Sequence, residues 1–216
     1  MSVLQIISQA AKAQNLAIFG HCDVAPGDGL DDARALVLLG PAEPGFWAHV
    51  TNTPEFLDGA PDPLDRWSAR VIGAIASGVS GRAIMPSGGP PWYPFIQWAR
   101  RSGRAWPSPV TLLVHDHAGL MVSYRGAIAL PETLANEPEA APPCQTCTGQ
   151  PCRTACPVNA LSAEGYDIAA CHAYLDTEVG QDCMTRGCAA RRACPVSQRY
   201  GRQETQSAWH MRIFHR

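Results

Sequence analysis

Eight of the nine cysteines fall between Cys144 and Cys194, and four of them occupy the thirteen residues from Cys144 to Cys156. Thiols this crowded must be spaced apart or tied together, so they dictate the path of the chain between them. The first quartet is Cys144, Cys147, Cys152 and Cys156, spaced C-x2-C-x4-C-x3-C and followed by Pro157. The second is Cys171, Cys183, Cys188 and Cys194, and it also ends in Cys-Pro, at Pro195. The ninth, Cys22, stands alone beside a predicted strand and reads as a small buried hydrophobe.

Three close cysteines can wrap three corners of a cubane, while a fourth before proline reaches the neighbouring one. Eight cysteines make two such sets with none left over. This arithmetic favours two [4Fe–4S] clusters. Two zinc sites would also use eight thiolates, but they leave the paired Cys-Pro endings unexplained. A disulfide framework would call for secretion. Arg186, Arg191 and Arg192 lie among the second quartet, as surface charge or as donors that tune a cluster.

The rest of the chain suits a folded first domain. Hydrophobic residues make up 46% and charged residues 17%, the balance of a globular protein and not of a disordered one. The formal net charge of -2 offers no broad basic field, so nucleic acid is not an expected partner. No apolar run reaches the roughly 18 residues that span a bilayer. The N-terminus has no basic leader, so the expected compartment is the cytoplasm, where thiols stay reduced.

Residues 3–12 predict an amphipathic helix with Leu4, Ile7 and Ala11 on one face. "ARALVLLGP" predicts a buried strand closed by Gly-Pro. Asp62 and Pro63 open a helix whose apolar face is Leu64, Trp67, Val71, Ala74 and Ile75, with Gly78 at its end. "PFIQWARR" predicts a shorter helix. "VTLLVHDHAGLMVSYRGAIAL" predicts two strands joined at His117-Ala118-Gly119. "PETLANEPEAAPP" lacks periodicity and predicts a linker. The expected domains are therefore 1–138, a cysteine module at 139–202, and a helical tail at 203–216 with Trp209, Ile213 and Phe214 packing inward.

Candidate ligand-binding residues in the first domain are Gly88 and Gly89, in the stiff aromatic loop "PSGGPPWYPF", together with His115 and Arg125. Histidines at such a turn are either polar turn residues or cofactor ligands. An arginine inside an apolar strand needs an anionic partner, either an internal carboxylate or a ligand.

Two resemblances extend this reading. "CQTCTGQPCRTACPVNAL" resembles the bacterial dicluster ferredoxins, with two extra residues within Thr148–Pro151. That resemblance implies one cluster on Cys144, Cys147, Cys152 and Cys194, and another on Cys156, Cys171, Cys183 and Cys188. "TPEFLDGAPDPLDRWSARVIGAIA" and "LLVHDHAGLMVSYRGAIALP" resemble the CblC-type cobalamin-processing proteins, which implies a nitroreductase/flavin-reductase-like α/β domain. His115, Gly119, Arg125 and Gly126 match that family's motif, with Asp116 in place of its proline.

The order of parts resembles the epoxyqueuosine reductases, and Asp167, Cys171, Tyr174 and Leu175 match their module. Those reductases use an acidic proton donor in the front domain, yet no Asp or Glu lies between Asp65 and Asp116. Their RNA substrate is therefore not expected here. The expected α+β protein carries two [4Fe–4S] clusters and binds cobalamin, or less readily FMN, through His115, Arg125, Gly88 and Gly89. Two functions fit. One is a reductase passing single electrons from a redox partner protein to a corrinoid. The other is a non-catalytic carrier whose first domain docks its redox partner.

Overall fold

A computed structural model describes residues 1–90, 92–135 and 140–216. The expected domain boundary at 138/139 lies outside the described residues. The chain is mixed α and β with antiparallel sheets, and it divides into two compact units. The first unit comprises residues 1–104 and 123–139; the second comprises 105–122 and 140–216. Among the described residues no helix is long and apolar enough to cross a membrane.

The first unit is organised by β2 (Ala35–Pro41), the predicted apolar run, in which all seven residues are buried. A strand buried on both faces needs partners on both edges to satisfy its backbone. β2 pairs antiparallel with β1 (Leu16–Asp23) on one side and with β7 (Gly126–Leu130) on the other. The short β3 (Arg82–Ile84) adds to the far edge of β7, giving the order β1-β2-β7-β3.

Helices cover this sheet. α1 (Val3–Lys12) starts with a capping box: Ser2 Oγ accepts from the Gln5 N–H, and Gln5 Oε1 accepts from the Ser2 N–H. Ile7 and Ala11 are fully buried on its inner face, as the periodicity requires. The short α2 (Phe46–Val50) and α3 (Pro54–Leu57) lead into α4 (Pro63–Ser77), which packs on β3 and β7. Pro63 stands at its first turn, but Asp62 adopts a left-handed conformation and makes no side-chain cap.

The buried face of α4 also departs from expectation. Ser68, Ile72 and Ala76 join Leu64, Trp67, Val71 and Ile75, while Ala74 is exposed. The face is wider than a single stripe because both α1 and the sheet press on α4. Trp67 meets Phe46 edge-to-face at 5.5 Å. α5 (Phe95–Arg101) packs on β1 and buries Phe95, Trp98 and Ala99.

The second unit begins with a small antiparallel sheet of β4 (Ala105–Pro107), β5 (Leu113–His115) and β6 (Gly119–Leu120). The predicted second strand of the 110–130 segment is thus interrupted. β6 ends after two residues, Met121 takes a left-handed φ of 57°, and β7 resumes at Gly126 in the other sheet. The expected burial of the segment on both faces hid this interruption, because an apolar run carries no mark of where it changes sheets.

Five helices complete the second unit: α6 (Ile168–Leu175), α7 (Gln181–Arg186), α8 (Ala189–Ala193), α9 (Pro195–Tyr200) and α10 (Glu204–Phe214). The predicted tail helix forms, but its buried residues are Gln206, Ser207 and Ala208. Ile213 and Phe214 stay over one-third exposed, at 39% and 36%, and Phe214 stacks on Tyr166 at 6.1 Å.

Candidate functional site

The cysteines are built into the core of the second unit. Cys152 and Cys194 are buried with Val110, Val114, Leu120, Leu161, Ala190 and Val196, and Cys144 and Cys188 pack against that cluster. Short elements set their positions. Cys144 and Cys152 each sit in a single 3-10 turn, Pro143–Gln145 and Pro151–Arg153. Cys171 lies in α6 and Cys183 in α7.

The Cys-Pro ending of the second quartet has a local cause. Cys194 is the N-cap of α9 and Pro195 its first residue, where proline costs no hydrogen bond. The extra residues of the first quartet close a turn over Cys144. Gln150 there takes a left-handed φ of 39° and donates from Nε2 to the Cys144 carbonyl at 3.3 Å.

Cys144, Cys147, Cys152 and Cys194 together line one cavity of about 320 Å³, with Val114, Leu120 and Val196 among its apolar walls. Burial pushes the Cys144 thiol up to about 11, and the neighbouring Cys152, Cys194 and Cys147 reinforce the shift. Cys152 is raised for the same reasons, burial first and then Cys194 and Cys147.

The other four cysteines are mutual neighbours as well. Cys171 is raised by burial and by Cys156 and Cys183, against a hydrogen bond from Tyr166. Cys188 is raised by burial and by Cys183 and Cys156, against the N–H groups of Arg191 and Ala190. The Ala160 N–H donates to Cys156 Sγ at 3.3 Å. Burial, then the Cys171 hydrogen bond, pushes the Tyr166 phenol up. Tyr166 escaped the sequence reading because no spacing rule ties it to the thiols.

The expectation of two [4Fe–4S] clusters, with cobalamin or FMN beside them, is overturned. Among the described residues no group of three or more His, Cys, Asp and Glu side chains could hold a metal ion. Cys144, Cys147, Cys152 and Cys194 are distributed around the walls of a cavity and are not among any group placed to hold one ion. All nine cysteines are free, with no disulfide among them.

Of the four residues expected to bind a cofactor, His115, Arg125 and Gly88 make local contacts. His115 is 1% exposed in β5, and its Nδ1 accepts from the backbone N–H groups of His117 and Ala118 at 3.1 and 3.2 Å. This places the ring proton on Nε2, so the 3.0 Å approach of Asp116 to Nδ1 is not a hydrogen bond to a donor. Arg125 has a carboxylate of the same unit nearby: the exposed Asp65 lies 3.8 Å from its guanidinium. Its Nε also donates to the Tyr124 carbonyl at 3.2 Å. Burial pulls the Arg125 pKa down, and Asp65 opposes that shift.

Gly88 and Gly89 belong to the first unit, like Arg125, whereas His115 belongs to the second. A Cβ on Gly88 would touch the Met85 carbonyl at 3.3 Å, so its lack of a side chain serves a tight turn. No protein-family model matches the chain, and no curated protein and no solved structure matches it either.

Proposed function

We propose that the chain is an electron carrier that works through the cysteines of its second unit, while its first unit docks a redox partner protein. The observation that carries the reading is the gathering of cysteines remote in sequence, with Cys194 sharing one cavity with Cys144, Cys147 and Cys152. Gathered thiols are redox groups by their own chemistry. Two thiols lose two electrons and two protons as one S–S bond forms. A disulfide on the partner takes up both and becomes two thiols.

The order of parts, an α/β unit before a cysteine unit, supports the same reading through its resemblance to the epoxyqueuosine reductases. The finer fold assignment, nitroreductase-like followed by ferredoxin-like, belongs to this proposal. The α4 helix lying on an antiparallel sheet is compatible with it. Free thiols fit a reducing compartment such as the cytoplasm.

Anaerobic coulometric titration of the full chain tests the proposal. Release of electrons on oxidation of the thiols and their uptake again on reduction are expected, with one part of this reversible uptake lost in Cys152→Ser and another in Cys183→Ser. Absence of reversible uptake in the unsubstituted protein, or full uptake in both variants, would overturn it.

A further inference from the structure

A second cavity of the second unit, about 370 Å³ in volume, is walled by Arg186, Arg191, Arg192 and Arg202 together with Ser197, Gln198, Glu204 and Ser207. We propose that this cavity binds the phosphate monoester group of a small polar metabolite. Four guanidiniums converge there. The carboxylates facing them are Glu204, in the wall, and Asp182, which pairs with Arg186 and Arg192. Four guanidiniums outnumber these two carboxylates, which favours an anion such as a phosphate dianion.

The guanidiniums are held in place. Arg191 Nε donates to the Leu120 carbonyl at 3.1 Å, Arg192 Nε to the Gly187 carbonyl at 3.0 Å, and Arg202 Nε to Ser207 Oγ at 3.2 Å. Arginines oriented in advance lose less entropy when their planar forks meet phosphate oxygens. Glu204 and Ser207 belong to the first two turns of α10, an eleven-residue helix, so its positive end adds to the field.

The wall chemistry also selects the rest of the ligand. The cavity volume falls within the range of small-molecule sites, and its side chains include no aromatic or aliphatic residue. Hydroxyl groups of the ligand would find Ser197, Gln198 and Glu204. This inference is independent of the electron-carrier reading, since it uses none of the cysteines.

Isothermal titration of the full chain with glycerol 3-phosphate at low salt tests it, with glycerol as the uncharged comparison. Saturable binding of the phosphate ester alone is expected, weakened about tenfold by Arg202→Gln. Glu204→Gln should tighten binding severalfold, a gain that a folding defect could not produce. Arg153→Gln, outside the cavity, should leave binding unchanged. Lack of saturable binding, equal weakening in Arg153→Gln, or weakening by Glu204→Gln would overturn the proposal. Tighter binding of a ribo-oligonucleotide than of glycerol 3-phosphate would overturn the small-ligand reading.

Discussion

Replacing Gly119 by alanine should destabilise the second unit more than any ordinary surface change. Gly119 opens β6 with a φ of 76°, and a Cβ there would stand 2.4 Å from the Ser197 backbone nitrogen, 2.6 Å from its Cα and 2.3 Å from its Oγ. The left-handed conformation costs an alanine about 1 kcal/mol. Forcing the Cβ against α9 adds about 1–3 kcal/mol, because the obstacle is backbone and cannot rotate away. Moving α9 also strains the bond from the Leu120 N–H to Ser197 Oγ, 2.9 Å long and worth about 1 kcal/mol.

The expected loss is therefore about 2–5 kcal/mol. With a slope of about 2 kcal/mol/M, the urea midpoint falls by about 1–2.5 M. Urea denaturation followed by circular dichroism reads this directly. Adding Ser197→Gly removes the Oγ contact but leaves the backbone contacts and deletes the Leu120 hydrogen bond, so it should recover less than half of the loss. Stability within about 0.5 kcal/mol of the unsubstituted protein, or full recovery in the double variant, would refute the backbone-contact argument.

Two further outcomes follow from the first unit. The bidentate hydrogen bond from Arg70 holds the Glu55 carboxyl down at about 2, well below its ordinary value of 4.5. Its folded pKa is depressed, so the stability it contributes is full above pH of about 4.5 and is lost as pH falls towards 2. A carbon-detected NMR titration of the Glu55 side chain checks the midpoint, and a midpoint near 4.5 would disprove the pairing. Cys22 is buried in β1, outside both quartets, and Cys22→Ala should leave coulometric electron uptake unchanged. A loss of uptake like that of Cys152→Ser would show that Cys22 takes part.

Local patterns were legible wherever one residue's chemistry determined one element. The continuous burial of β2 follows from an apolar run with no polar residue to turn outward. Ser2 and Gln5 mark the start of α1 by a reciprocal cap that any chain with those side chains can make. Arg125 announced its need for a carboxylate, although its sixty-residue separation from Asp65 made the partner invisible until the fold brought them within 3.8 Å.

The cysteine spacing determined that eight thiols lie in one stretch of chain, and by resemblance it even grouped them. It did not determine that they converge on a metal ion, since convergence depends on side-chain direction and on the depth to which each turn is buried. The tertiary structure also decided the place of residues 105–122. As sequence they continue into 123–130, yet their β4–β6 sheet packs with α9 in the cysteine unit, while β7 closes the sheet of the other. Hydrophobic periodicity reports that a segment is buried but not which core buries it, because water is excluded equally by either. The arginine cavity arose in the same way: Arg186, Arg191, Arg192 and Arg202 are only scattered charges along the chain until α7, α8 and α10 enclose them.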